Sequence, residues 1–219
     1  MSVIVVSRVM MDAGHGGDQP GNVNFGVREK DSTLSLTLKV KHYAQLYSWS
    51  AQIKGPLIKG LMTRQDDRHV GIHKRADMAR AEGCNAFVSI HTNSHINVFA
   101  KGAEAFVAVA GAHRYTSIQL GARILDELRA AGLAKRGVKD DSKSQHTGGL
   151  GVLRGTIDAM DSVLVEVGFA SNLHDRRVIC SPTGKEMIAM AIARAIVSHF
   201  GLDPAAGAAA FAASPAAKP

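Results

Sequence analysis

Three features are scarce in this chain, and each scarcity excludes a class of protein. Aromatic residues make up 5% of the 219 residues, too few for a protein that stacks many nucleic-acid bases. The 2 cysteines, Cys84 and Cys180, exclude a disulfide framework and a four-thiolate metal site, although one bridge remains arithmetically possible. No stretch approaches the roughly 20 apolar residues that cross a bilayer, so membrane insertion is not expected.

The chain has more basic than acidic residues, and it shows no export signal. Its 26 Lys and Arg against 19 Asp and Glu give a net charge of +7, which favours an anionic partner such as nucleic acid, anionic lipid or an acidic wall polymer. The apolar residues 3–6 are interrupted at once by Ser7 and Arg8, so they do not form the apolar segment of a signal peptide. Synthesis in the cytoplasm without a signal peptide is the expectation.

Short apolar runs alternate with amphipathic stretches, a pattern that predicts a single α/β domain with a mostly parallel, twisted sheet flanked by helices. The expected strands are residues 3–11, 85–91, 103–110 and 163–167. The expected helices are residues 31–47, 70–82, 115–131 and 185–200. The first of these helices also alternates like a strand at its start, but it is longer than most strands, and Asp31 or Ser32 is a plausible N-cap.

The end of the chain differs in composition from the rest. Residues 1–201 contain all the expected strands and helices and are predicted to form the folded domain. Residues 202–219 are rich in Ala and Pro and contain few large side chains that could offset the entropy of ordering. They are expected to form a disordered tail.

Polar residues lie at or near the ends of three expected strands, where open α/β sheets bind their ligands. They are His15 in a Gly-rich loop after the first strand, His91 at the end of the second, and Glu166 within the last. Glu29, just before the first expected helix, could reach the same edge through a loop. Two imidazoles and one carboxylate are a common ligand set for catalytic zinc, and the remaining glutamate would then be the base.

Each of these residues also has a purely structural interpretation. His15 could cap a turn, His91 could bond a backbone carbonyl in the core, and Glu29 could be a solvated charge. Glu166 is harder to explain in this way, because a carboxylate inside VLVEV is rarely buried without a partner. The loop DAGHGG lacks the Lys-Ser/Thr ending of a phosphate-binding loop, so that alternative is weak.

Four motifs together carry a resemblance to a known family. They are MDAGHGG at 11–17, GVREKD at 26–31, FVSIHTN at 87–93 and VLVEVGFASN at 163–172. In order and spacing they resemble the zinc-dependent N-acetylmuramoyl-L-alanine amidases of the Amidase_3 type, over about residues 4–201.

The resemblance implies a role for each matching residue. His15, Glu29 and His91 would bind one Zn²⁺ ion, and Glu166 would be the catalytic carboxylate. The substrate would be peptidoglycan, cut between the lactyl group of N-acetylmuramic acid and the L-alanine of the stem peptide. Two further residues near these motifs are candidates for substrate contact, Asn93 and His146.

Two departures from relatives sharpen the expectation. Many cell-division relatives carry a helix after the SIHxN motif that covers the zinc, but residues 94–101 are too few for such a helix. Together with the absent signal, this favours a phage-type endolysin that acts on the wall after a separate membrane-permeabilising protein releases it. A bacterial amidase lacking its leader fits nearly as well. A monomer without nucleic-acid partners is expected.

Two other functions remain open. A zinc-dependent peptidoglycan carboxypeptidase or peptidase acting on the stem peptide would use the same ligand set and carboxylate. A non-catalytic wall-binding module is disfavoured, because binding alone gives no reason for a glutamate inside an apolar strand.

Overall fold

The structure is a computed structural model that describes residues 6–144 and 148–217. Its strands are β1 (Ser7–Ala13), β2 (Val23–Asn24), β3 (Val27–Arg28), β4 (Trp49–Ser50), β5 (Gly55–Pro56), β6 (Ile58–Met62), β7 (Ala86–Asn93), β8 (Ala103–Val107), β9 (Lys135–Asp140) and β10 (Asp161–Phe169). Its α-helices are α1 (Glu29–Tyr47), α2 (Ile72–Ala81), α3 (Arg114–Ala130), α4 (Gly151–Arg154), α5 (Leu173–Cys180), α6 (Pro182–His199) and α7 (Pro204–Ala212). Of the helices in these described ranges, none has the length and apolar character to span a membrane.

A single six-stranded sheet organises the domain, in the order β6, β1, β7, β10, β8, β9. Adjacent strands run parallel except for β10 and β8, which are antiparallel. The prediction of one α/β domain with a mostly parallel sheet is confirmed. Because β1, β7 and β10 are parallel neighbours, the residues at their carboxyl ends meet at one edge of the sheet.

The two faces of the sheet are covered by different helices. Successive residues of a strand point to opposite faces, so each strand contributes side chains to both cores. Val9 and Val163 face a large core formed with α1, α3 and α6. Met10, Phe87 and Leu164 face a smaller core formed with α2 and α4. Glu166 has the same strand parity as Leu164, so it projects toward the side that carries the smaller core.

Several elements differ from the sequence prediction. Strands β6 and β9 and helix α5 were not predicted. Strand β9, of sequence KRGVKD, lies at the edge of the sheet and lacks the apolar pattern that predicts a strand. It is held by backbone hydrogen bonds to β8. Helix α1 begins at Glu29 with Arg28 as N-cap, so the predicted caps Asp31 and Ser32 are wrong. Glu29 therefore lies in the first helical turn rather than in a loop before the helix.

The expectation of a disordered tail from residue 202 is also wrong for much of that segment, because α7 forms there. Asp203 caps the helix by accepting a hydrogen bond from the Ala205 N–H. Phe211 packs edge-on against Trp49, with ring centroids 5.3 Å apart. The helix cap and the packing of Phe211 stabilise α7, and neither contact can be read from the composition of the segment.

Gly207 is the point of closest approach between α7 and the rest of the domain. A Cβ at this position would lie 1.7 Å from the backbone oxygen of Tyr47. We expect Gly207→Val to weaken the docking of α7 by about 1–3 kcal/mol, the usual cost of overpacking. Hydrogen exchange of the α7 amides measures this loss, and Ala206→Val, at an exposed position of the same helix, is the matched control. Equal exchange in the two variants would contradict the expected contact.

Candidate metal centre and active site

The loop after β1 is shaped so that its backbone passes directly beside His91. A Cβ on Gly14 would lie 2.3 Å from Cε1 of His91, so only glycine fits this position. His15, the next residue, has a φ of 61°, which is uncommon for a residue other than glycine. The local sequence thus brings two imidazoles together at the ends of two neighbouring strands.

Two buried arginines hold this loop in place. Arg75 donates to the carbonyls of Ala13 and His15, each at 2.7 Å. Arg64 donates to the carbonyls of Ala13 at 2.9 Å and Gly14 at 2.8 Å. Because these carbonyls flank His15, the arginines fix the direction of its side chain.

Asp12 neutralises the charge of Arg75 beneath the loop. Its Oδ1 accepts from Arg75 Nη1 and from Thr63 Oγ1, both at 2.6 Å, and its Oδ2 accepts from Ser89 Oγ at 2.6 Å. Burial acts to raise the pKa of Asp12, but the charge of Arg75 and the two hydroxyl hydrogen bonds outweigh it and hold the pKa below its usual range. The carboxylate is thereby kept ionised under the loop.

Glu29 lies between the two histidines and is held by backbone N–H groups. Its Oε1 accepts from the Thr92 N–H at 3.0 Å, and its Oε2 accepts from the Asn22 N–H at 2.9 Å. The carboxylate is nearly fully buried, at 2% exposure. Gly21 leaves the space that this group needs, because a Cβ there would lie 2.6 Å from Oε2.

The three side chains converge as one cluster. Nε2 of His15 lies 3.1 Å from Oε2 of Glu29, and Nδ1 of His91 lies 3.0 Å from Oε1 of Glu29. All three donor atoms lie within 4.8 Å of one another. Two imidazole nitrogens and one carboxylate oxygen are a donor set that suits a divalent transition metal, zinc among them. The residues therefore fit a catalytic metal ion that keeps a position open for water.

The protonation of Glu29 agrees with a role as a ligand. Burial acts to raise its pKa, but hydrogen bonds and charge from His15 and His91 outweigh burial and hold the pKa well below its usual range. A metal ligand must be deprotonated, and this carboxylate is ionised throughout the physiological range.

Glu166 lies beside this cluster on the next strand. It pairs in register with His91 across β10 and β7, and both residues line one cleft of about 660 Å³. Its Oε2 is buried without a hydrogen-bond partner in the part of the chain that the structure describes. Burial raises the pKa of Glu166 well above its usual range, and the negative charges of Glu29 and Glu104 raise it further. A buried carboxyl oxygen without a hydrogen-bond partner is costly for stability and is typical of a functional position.

Comparison with known proteins decides the family. A family model described as N-acetylmuramoyl-L-alanine amidase, Amidase_3, matches residues 9–198. The chain belongs to this family. The four motifs and the converging cluster thus occur in a chain that matches the amidase model over nearly its whole domain.

Individual relatives have low sequence identity to this chain, but their alignments cover most of it. A probable N-acetylmuramoyl-L-alanine amidase AmiB of Haemophilus influenzae is 28% identical over 88% of this chain, and the match spans 52% of that protein. The chain therefore covers about half of this curated relative.

Two solved structures of amidases share the fold. The catalytic domain of CwlV from Bacillus (Paenibacillus) polymyxa var. colistinus superposes with a TM-score of 0.73 at 26% identity, covering 90% of this chain and 99% of that one. AmiC2 of Nostoc punctiforme gives a TM-score of 0.73 at 26% identity, covering 89% and 97%.

Of the two predicted substrate contacts, the structure describes only Asn93. Asn93 lines the cleft, and its Nδ2 donates to Oε1 of Glu104 at 2.8 Å. It therefore lies at the site, and its contact with substrate stays a prediction. His146 lies outside the described residues, so its role also stays a prediction.

The sequence reasoning overlooked Glu104 on β8. This buried carboxylate pairs in register with Glu166 and lines the same cleft. The signal was present, because Glu104 interrupts the apolar strand GAEAF just as Glu166 interrupts VLVEV.

Proposed function

We propose that this chain is a zinc-dependent N-acetylmuramoyl-L-alanine amidase that cuts peptidoglycan between the lactyl group of N-acetylmuramic acid and the L-alanine of the stem peptide. The observation that carries the proposal is the convergence, in one cleft, of His15, Glu29 and His91 beside Glu166, whose Oε2 is buried. The family and the amidases named above supply the choice of bond.

Three side chains of this chain would hold the zinc ion: His15, Glu29 and His91. When bound there, Zn²⁺ supplies the Lewis acidity that polarises the scissile carbonyl and lowers the pKa of the attacking water. The hydrogen bonds to Glu29 from the N–H groups of Asn22 and Thr92 keep its carboxylate oriented for this task.

Glu166 would move the proton during hydrolysis. Its carboxylate accepts a proton from the water that attacks the carbonyl carbon, and the C–N bond then breaks. The same group returns the proton to the leaving amine, so that the products are the lactyl carboxylic acid and the free amino group of L-alanine. Its position one strand from His91 suits this role, because neighbouring strands lie about 4.8 Å apart.

The cleft is expected to admit substrate without help from another protein. No helix forms between β7 and β8 in the described structure. The aromatic ring of Phe99 in this connection lies at the cleft and is 84% exposed. The short connection supports an enzyme that is not self-inhibited by a covering helix.

Mass analysis of a peptidoglycan digest tests the proposed bond. The zinc-loaded protein, with no second protein added, is expected to release intact stem peptides that begin with a free L-alanine amino group. A peptidase or carboxypeptidase would instead release shortened stems while the amide at the lactyl group stays intact. A digest in which that amide survives would therefore refute the amidase, and a digest without any cleavage would refute both enzymes.

The remaining expectations concern the biology of the protein. Action at the cell wall, release by a separate membrane-permeabilising protein as for an endolysin, and a monomeric state stay predictions. To test the release, the chain is expressed in bacteria with and without such a permeabilising protein, and cell lysis is measured. Lysis only in its presence is expected.

A further inference from the structure

The cleft carries its basic residues on one segment. Arg136, Lys139 and Lys143 line it, and all three come from β9 and the short turn that follows. Among the described lining residues they are the only Lys or Arg side chains. The cleft therefore has an acidic and imidazole cluster, formed by His15, Glu29, His91 and Glu166, and a positive wall along the edge strand β9.

Glu104 holds two of these cations in place. Its Oε2 accepts from Nε of Arg136 and from Nζ of Lys139, each at 2.6 Å. Burial acts to raise the pKa of Glu104, but the hydrogen bonds and charges of Lys139 and Arg136 outweigh it and hold the pKa below its usual range. One carboxylate thus faces two cations, which leaves a net charge of +1 on this group.

The contacts of both cations with described residues leave some of their N–H donors unused. Arg136 also donates Nη1 to the Lys101 carbonyl at 3.3 Å, so its bonds to described residues use two of its five N–H donors. Lys139 uses one of three on Glu104. The two side chains are 36% and 31% exposed, whereas that of Glu104 is 6% exposed. A buried anchor beneath two half-exposed cations is the arrangement of a preorganised anion site.

Aromatic rings limit the motion of these cations further. The guanidinium of Arg136 lies 4.9 Å from the ring centroid of Phe169, and Nζ of Lys139 lies 5.9 Å from that of Phe106. Both rings line the cleft. Cations held in this way lose little further entropy when an anion binds.

The register of the sheet sets the distance from this wall to Glu166. Glu104 pairs with Glu166 across β8 and β10, and β9 lies on the far side of β8. Two strand spacings of about 4.8 Å place β9 roughly 10 Å from β10. An extended peptide advances about 3.3–3.6 Å per residue, so the wall lies within two to three residues of the bond at Glu166.

We propose that Arg136 and Lys139 form a subsite for a carboxylate on the stem peptide, on the residue that follows the alanine. The inference rests on the proposed amidase function and names its specificity. The glycan side of the substrate carries hydroxyl and acetamido groups without charge, whereas the stem carries carboxylates. The net charge of +1 at the subsite matches one such group.

Two synthetic substrates test the subsite without any mutation. Both are N-acetylmuramoyl-L-alanyl peptides of equal length with an amidated C-terminus. One carries a free carboxylate on the residue after alanine, and the other carries a primary carboxamide at the same atom. The zinc-loaded wild type is expected to prefer the carboxylate by about 10- to 100-fold in kcat/KM, as for a hydrogen bond between charged groups.

Variants assign this preference to the named residues. Arg136→Gln and Lys139→Gln should each lower kcat/KM for the carboxylate substrate by about tenfold, mainly through KM, and change that for the carboxamide by less than about twofold. Lys135→Gln is the matched control, because Lys135 lies on the same strand but pairs with Asp126 instead of lining the cleft. It should leave the preference unchanged.

The outcomes separate this subsite from the proposed function. Equal cleavage of both substrates by the wild type would overturn the subsite and leave the amidase standing. Equal losses on both substrates in the variants would mean that the cations only support Glu104, which would also overturn it. If the wild type cut neither these substrates nor peptidoglycan, the proposed function would fail and the subsite with it.

Discussion

Replacing Glu166 by glutamine is expected to lower the rate of amide hydrolysis by about 10²- to 10⁴-fold, the usual contribution of a general acid or base. Glutamine keeps nearly the same volume but cannot accept and return a proton. Stability should not fall, because Oε2 of the wild-type carboxyl group is buried and has no hydrogen-bond partner in the described structure. A loss of activity without a loss of stability distinguishes a functional residue from a structural one.

Three measurements on Glu166→Gln decide whether Glu166 has a functional or a structural role. The rate is followed on isolated peptidoglycan, the zinc content by elemental analysis, and the thermal midpoint by circular dichroism. Glu127→Gln is the matched control, because Glu127 pairs with Arg194 on the helical face, at 34% exposure, away from the cleft. A Glu166→Gln protein that keeps full activity and its zinc would show that another group moves the proton.

The convergence of polar side chains at one edge of the sheet could be predicted from the sequence because two independent signals agree. Buried parallel strands deliver their ends to one edge of a sheet, and the polar residues His15, His91 and Glu166 lie at or near those ends. Glu29 was less clear, since it lies in a charged stretch whose spacing is typical of a solvated surface. Its burial depends on Asn22 and Thr92, which approach only in the fold.

The parts that the sequence reasoning missed depend on long-range pairing. Strand β9 has one apolar residue, Val138, among charged neighbours, and it forms because β8 offers an unpaired edge. The same holds for His199, whose side chain is 8% exposed and lies 2.7 Å from the carboxylate of Asp161, a residue on a different element. Local periodicity carries no information about such contacts.

Replacing His15, one of the proposed zinc ligands, is expected to have the second large effect, a loss of zinc affinity. His15→Ala should weaken zinc binding by more than about 100-fold, because loss even of a group that only supports a ligand costs 10- to 100-fold. His15 is the preferred position, since its side chain is 29% exposed and its loss leaves the backbone N–H partners of Glu29 in place. Activity at low zinc should disappear and return only at high metal concentration.

Stabilisation by zinc gives a readout that does not depend on activity. A ligand at 100 times its Kd stabilises the folded state by about 2.7 kcal/mol, so zinc should raise the thermal midpoint of the wild type. The same zinc concentration should raise that of His15→Ala much less. His69→Ala is the control, because His69 lies near the same loop, 3.0 Å from Asp18, outside the cluster. If zinc stabilised His15→Ala as strongly as the wild type, the ion would bind elsewhere, and Glu29 and His91 would also lose their assignment as ligands.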